Sequence, residues 1–274
     1  MKFFLAPMQG LTGYTVRNAF HHHFDYIDKY YTPFIPAAKR MNAKIKRDID
    51  PVNNDGITLI PQAMSIVADE VIDLHRQLVP YGYDEINVNL GCPSGTVVSK
   101  KRGSGILAYP DMLDRFLDEL YTKADFPVSI KTRVGFNDDE LWPKLIEIYS
   151  KYPISELTVH PRVQKDFYKN TPRMDDFALA MQKINPDKTI LCYNGDITDT
   201  NSFNALTDRF PDINEIMIGR GLFANPALIA ELKGISMDKA ELRERLKNWH
   251  DEILSGYLSI FSGVSATPSI IPST

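Results

Sequence analysis

The feature that most limits how this chain can fold is an alternation that runs along almost its whole length. Eight short β-rich runs recur: FFLAPM (3–8), YIDKYYTPF (26–34), TLIPQAM (58–64), EINVNL (85–90), PVSIKTRV (127–134), ELTVHPRV (156–163), TILCYNG (189–195) and EIMIGRG (215–221). Between them lie segments with helical spacing, clearest at 67–78, 112–124, 141–152 and 202–210, where apolar residues at i, i+3, i+4 and i+7 define one buried stripe. Strands alternating with helices pair in parallel, because each crossover returns the chain to the same end of the sheet. Eight such units predict an α/β fold, a closed (β/α)8 TIM barrel spanning 1–235, with a doubly wound open sheet as the alternative. Polar residues interrupt the second run.

Composition narrows the function classes. At 274 residues, with 43% hydrophobic and 24% charged residues, the chain has the make-up of an ordinary globular protein. A net charge of −4 argues against binding nucleic acid through overall charge. Two local basic runs remain, Lys39, Arg40, Lys44, Lys46 and Arg47, then Lys100, Lys101 and Arg102. Each reads as a solvated face or as a phosphate-contacting patch. The two cysteines, Cys92 and Cys192, form neither a disulfide framework nor a zinc site. The apolar run at the N-terminus is too short for a signal peptide, and no stretch approaches the roughly 18–20 residues of a membrane span. The expectation is a cytoplasmic monomer with no membrane contact and no metal.

A barrel of this kind carries its chemistry at the C-terminal ends of its strands. The residues ending the runs are accordingly polar: Gln9 and Gly10, Gln62, Asn89 to Cys92, Lys131 and Arg133, His160 and Arg162, Asn194 to Asp196, and Gly219 to Gly221. Loops after the seventh and eighth strands are a common phosphate site, which Asn194-Gly195-Asp196 and Gly219-Arg220-Gly221 suit jointly. Lys131 and Arg133 share one face of their strand, with Thr132 opposite. A lysine inside a barrel is paired or serves a bound anion, because burying it alone is costly. His160 is either a structural histidine or a donor to the same ligand. Cys92 follows its strand between Gly91 and Pro93, whereas Cys192 sits within its strand and reads as core.

Taken together, LAPMQGLTGYTVRNAF (5–20), INVNLGCPSG, VSIKTRVGF, LTVHPR, YNGDI and IMIGRGLFANP resemble the tRNA-dihydrouridine synthases, FMN enzymes that reduce uridine in tRNA. The resemblance covers about the first 230 residues in order. It implies that Pro7, Met8 and Gln9 line the flavin ring, and that Gln62, Lys131 and His160 contact FMN. It implies that Asn194, Gly195, Asp196, Gly219 and Arg220 hold the ribityl phosphate. Asn89, Arg133 and Arg162 fall near the substrate base, and Lys100, Lys101 and Arg102 become candidates for tRNA phosphates. Cys92 matches the catalytic proton donor, with NADPH as the reductant of FMN.

Some positions depart from the family pattern. PQAMS follows the third strand where Gly-Ser is usual, His160-Pro161-Arg162 stands for His-Gly-Arg, and Asn87 replaces a frequent aspartate. The segment 236–274 begins like a tRNA-recruiting helical domain over 240–261. It then ends in SGVSATPSIIPST, read as a shortened, disordered tail that weakens tRNA affinity. Two other functions compete: an FMN dehydrogenase of a free pyrimidine (dihydroorotate- or dihydropyrimidine-type), and an FMN-containing tRNA-binding protein without essential chemistry.

Overall fold

Eight parallel strands close into a barrel, and two prolines explain why its hydrogen-bond ladder is interrupted. The structure, a computed structural model, describes residues 1–37 and 40–262, so Lys39 and the tail 263–274 lie outside the described residues. The strands are β1 (Lys2–Leu5), β2 (Lys29–Tyr31 and Ile35–Pro36), β3 (Leu59–Ile60 and Gln62–Met64), β4 (Ile86–Leu90), β5 (Val128–Gly135), β6 (Glu156–Val163), β7 (Ile190–Tyr193) and β8 (Glu215–Ile218). Pro33 and Pro61 lack the N–H that a ladder needs, so β2 and β3 each form two short segments. Thr32 bridges the break: its N–H donates to the Ile60 carbonyl at 3.1 Å, and its Oγ1 accepts from Gln62 N at 2.9 Å. With Tyr30 opposite Leu59 and Ile35 opposite Ala63, the two strands pair on both sides of the break. The ring then runs β1–β2–β3–β4–β5–β6–β7–β8 and back to β1, as a closed barrel requires. The second run, expected at 26–34, begins at Lys29 and ends at Pro36, and the eighth ends at Ile218, where Arg220 already begins a helix.

Side-chain alternation divides each strand between two cores. Phe4, Ala6, Tyr31, Ile60, Cys192 and Met217 fill the barrel interior. Phe3, Leu5, Val88, Leu90, Ile130, Leu157, Val159, Ile216 and Ile218 face the surrounding helices. Those helices include α1 (Tyr14–His23), α2 (Ala43–Ile49), α3 (Ala68–Leu78), α4 (Gly95–Val98), α5 (Pro110–Lys123), α6 (Trp142–Ser150), α7 (Met174–Lys183), α8 (Thr200–Arg209) and α9 (Arg220–Ala224). In α3 the buried positions Ala68, Val71, Ile72, Leu74, His75 and Leu78 reproduce the predicted stripe. After α10 (Leu228–Leu232), the long α11 (Lys239–Ser262) packs on α1. Trp249 meets Phe20 edge-on at 5.3 Å, and the Glu252 carboxylate contacts His22 and His23, each at 2.8 Å. No described helix is long and apolar enough to cross a membrane.

Candidate active site

At the C-terminal mouth of the barrel the strand-end residues enclose a cavity of about 420 Å³, within the range of small-molecule sites. Pro7, Met8, Gln9, Gln62, Asn89, Cys92, Lys131, Arg133, His160, Asn194, Gly195, Asp196, Gly219 and Arg220 all line it. Arg162 lies behind the lining, fully buried. Lys100, Lys101 and Arg102 do not reach the cavity: the Lys101 ammonium lies over the Tyr109 ring, and Arg102 bonds Glu70. Phe34, Tyr168 and Pro93 also line the cavity.

An amide chain leads from the barrel wall to Cys92. Asn87 Nδ2 donates to Ser129 Oγ at 3.0 Å and Asn87 Oδ1 accepts from Gln62 Nε2 at 2.8 Å. Gln62 Oε1 in turn accepts from Asn89 Nδ2 at 2.7 Å. Asn89 Oδ1 then caps the turn, accepting from Gly91 N at 3.1 Å and Cys92 N at 2.8 Å. Asn87 therefore links its neighbours without adding a buried charge where the family often has aspartate. Beyond the turn, the Cys92 carbonyl accepts from Ser104 N at 3.1 Å and Ser104 Oγ at 2.9 Å. Gly103, at φ +54°, sits against it so closely that a Cβ would meet the Cys92 carbonyl oxygen at 2.7 Å. Cys92 is half-buried at the cavity, while Cys192 is buried and its thiol pKa is pushed well up by burial and then by Glu156.

Lys131 and Arg133 project inward and Thr132 outward, where its hydroxyl meets Tyr149 OH at 2.9 Å. Among the described residues no acceptor bonds the Lys131 ammonium. Burial, then the charge of Arg133, lowers its pKa to about 7. Arg133 ties loops together: Nε donates to the Gly91 carbonyl at 3.0 Å, Nη1 to Val163 at 2.9 Å and Nη2 to Phe167 at 2.7 Å.

Arg162, expected near the substrate base, has all its N–H groups engaged within the protein. Nε donates to the Lys169 and Asn170 carbonyls at 2.9 and 3.0 Å, and Nη2 to Asn170 at 2.5 Å. Nη1 meets Asp196 Oδ1 at 3.0 Å and His160 Nε2 at 3.2 Å, and Nη2 also bonds Asp196 Oδ2. Asp196 passes the contact outward to Arg220 Nη2 at 2.7 Å. Burial opposes ionisation of Asp196, but its bonds to Arg162 and Arg220 prevail and hold its pKa below the ordinary value. Gly195 and Gly221 are required by packing, since a Cβ would stand 2.0 Å from Tyr193 OH and 2.1 Å from the Ile197 carbonyl respectively.

Among the described residues no group of His, Cys, Asp or Glu is arranged to hold a metal. The arrangement offers a half-buried thiol, a lysine with no hydrogen-bonded partner among the described residues, and amide groups around one space, with an arginine at its rim.

Residues 4–255 match the family described as Dihydrouridine synthase (Dus). A probable tRNA-dihydrouridine synthase of Staphylococcus aureus is 33% identical over 154 residues, covering 55% of this chain and 46% of that protein. The chain thus spans about half the length of such staphylococcal relatives. The tRNA-dihydrouridine synthase B of Pasteurella multocida is 26% identical over 243 residues, covering 85% of this chain and 69% of that one. Among solved structures, a variant of NCR from Zymomonas mobilis superposes with a TM-score of 0.59 at 11% identity, covering 90% of both chains. That likeness shows the barrel fold.

Proposed function

Because this chain belongs to the dihydrouridine synthase family, we propose that it reduces the C5=C6 bond of uridines in tRNA, in the cytoplasm, using FMN and NADPH. The observation that carries the reading is the half-buried Lys131, without a hydrogen-bonded partner among the described residues, opening on the same cavity as Cys92. A lysine so placed is stabilised in its charged form by an anionic ligand and calls for one.

The residues present fit FMN. Pro7 and Met8 give an apolar wall for a flat ring, and Gln62 and Asn89 place amides beside it. Lys131 would face the part of the ring that becomes anionic on reduction, and Arg220 would serve the phosphate at the mouth. Bound there and reduced by NADPH, FMN supplies hydride chemistry toward C6 of the uracil ring.

The chain's own residues do the rest. Asn89 and Ser104 hold the loop that aims Cys92, and its thiol gives a proton to C5. Proton delivery by a thiol suits neutral pH because its pKa lies near enough for transfer. The target base must leave the folded tRNA to reach the mouth. Lys44 and Arg47 on α2 and Lys101 in the turn after α4 are proposed phosphate contacts, and α11 is proposed to help recruit tRNA.

The test is to incubate FMN-loaded protein and NADPH with tRNA lacking dihydrouridine, and in parallel with free uracil and orotate. Mass spectrometry of the digested tRNA should show dihydrouridine, with flavin reoxidation under single turnover. Reoxidation by a free pyrimidine and not by tRNA would sink the reading in favour of a dehydrogenase of small substrates.

A further inference from the structure

His160 is enclosed by cations. Lys131 and Arg133 face it from β5, Arg162 from its own strand and Arg220 from α9. The Tyr168 ring lies 6.4 Å away on the loop after β6. The nearby carboxylate, Asp196, is already bonded to Arg162 and Arg220. Among the described residues the one hydrogen bond to the imidazole comes from Arg162 Nη1, 3.2 Å from Nε2.

That contact has only one possible polarity. A guanidinium carries donors and no acceptor, and it does not lose its proton in proteins. Nε2 must therefore present its lone pair, which puts the imidazole proton on Nδ1. Arg162 cannot turn aside to allow another arrangement, because Asp196 and the carbonyls of Lys169 and Asn170 fix its plane.

We propose that Arg162 is a positioning residue that locks His160 as the neutral Nδ1–H tautomer, so that the ring offers the cavity a hydrogen-bond donor without adding another positive charge. The surroundings act in the same direction. Burial first, then Arg133, Lys131, Arg162 and Arg220, hold the imidazolium pKa well below its ordinary value. An N–H donor suits a carbonyl oxygen or bare ring nitrogen on a planar heterocycle, and this assignment of its partner rests on the function proposed above. The tautomer itself does not.

The experiment is a long-range proton–nitrogen correlation spectrum of the 15N-labelled protein without flavin or tRNA, with His160 assigned by its loss in H160Q. The expected result at neutral pH is a bare Nε2 and a protonated Nδ1. In R162M the ring should populate both tautomers, and its titration midpoint should rise by about one pH unit. A wild-type His160 with Nε2–H, or doubly protonated at neutral pH, overturns the proposal, as does an unchanged tautomer in R162M. The wild-type spectrum decides the matter even if R162M fails to fold. A chain that makes no dihydrouridine yet shows the Nδ1–H tautomer refutes the proposed function alone.

Discussion

The two ends of this barrel bury the same residue type to opposite effect. At the N-terminal floor, Lys29 Nζ donates to Glu156 Oε2 at 2.7 Å, while Tyr31 OH and Thr158 Oγ1 donate to Oε1 at 2.7 and 2.9 Å. Burial pulls the Lys29 pKa down, but Glu156 more than offsets it and the net change is upward. At the C-terminal mouth, burial and Arg133 bring Lys131 down to about 7, outweighing the opposing pull of Cys192 and Cys92. Glu85 and Glu215 add negative charge around the floor lysine, whereas the mouth lysine has the cation Arg133 beside it. A fold that can close an ion pair around one half-buried lysine leaves the other open. The floor is finished as structure, whereas on the proposed function the mouth is completed by an anionic ligand.

The cysteines offer the largest effect by which to break this contrast. Cys92→Ala should slow single-turnover dihydrouridine formation by about a hundred- to ten-thousand-fold, the usual worth of a positioned proton donor. Cys192→Ala in the barrel interior should leave the rate near wild type and cost about 1 kcal/mol of stability for the small cavity it opens. Equal rate losses, measured by mass spectrometry beside chemical denaturation, would mean that the two ends are not functionally separate.

The lysines come next. Lys29→Met leaves Glu156 without its ion-pair partner and should cost about 3 kcal/mol, the low end for breaking a buried pair, since the Lys29 side chain keeps 19% exposure. FMN affinity should be retained. Lys131→Met should do the reverse, keeping or raising stability while weakening FMN binding roughly ten- to a hundred-fold, the worth of a charged hydrogen bond. A destabilised Lys131→Met with normal FMN affinity would make Lys131 a structural residue like its counterpart.

Binding should also depend on pH in a way that only the mouth lysine explains. An anionic ligand favours charged Lys131, so its pKa rises from about 7 in the free protein when the complex forms. Below pH 7 the lysine is already charged and its contribution to affinity is level. Above pH 7 binding takes up a proton, and affinity should fall by up to about tenfold per pH unit until the pKa of the complex is reached. Fluorescence titration of FMN should show this fall in wild type and lose it in Lys131→Met.

Much of this was legible in the sequence because barrel periodicity and strand-end chemistry share one register. Alternation along VSIKTRVG placed Lys131 and Arg133 inward and Thr132 outward, and the structure agrees. What resisted reading depended on contacts distant in sequence. Arg162 carries the right residue type at a strand end, yet its donors are claimed by Asp196 and by carbonyls of the loop that follows. Gly103 reads as one glycine among many until folding brings it against Cys92. Tyr168 lies in a loop with no periodic signal, and only folding sets its ring beside Arg133 and Arg220. Pro33 and Pro61 moved the strand boundaries because their effect depends on which neighbour each would have bonded.

The smallest effect returns to the floor, where Glu215 is protonated more readily than an ordinary glutamate. Burial, then the charge of Glu156, raises its pKa to about 7, with Lys29 and Lys2 opposing. In the unfolded chain this group has an ordinary pKa of about 4.5. Between those values the folded protein holds a proton that the unfolded chain has released, so the stabilisation is complete below pH 4.5 and fades as pH rises through 7. Asp176, raised to about 7 by burial and Asp139, titrates in the same window and direction. Glu215→Gln keeps a neutral side chain at every pH and should therefore remove part of the stability loss between pH 6 and 8, with Asp176→Asn removing a further part. Thermal unfolding at those two pH values, without flavin, measures both. If the wild-type slope persists in Glu215→Gln, the floor does not store the titration assigned to it, and its difference from the mouth rests on the Lys29–Glu156 pair alone.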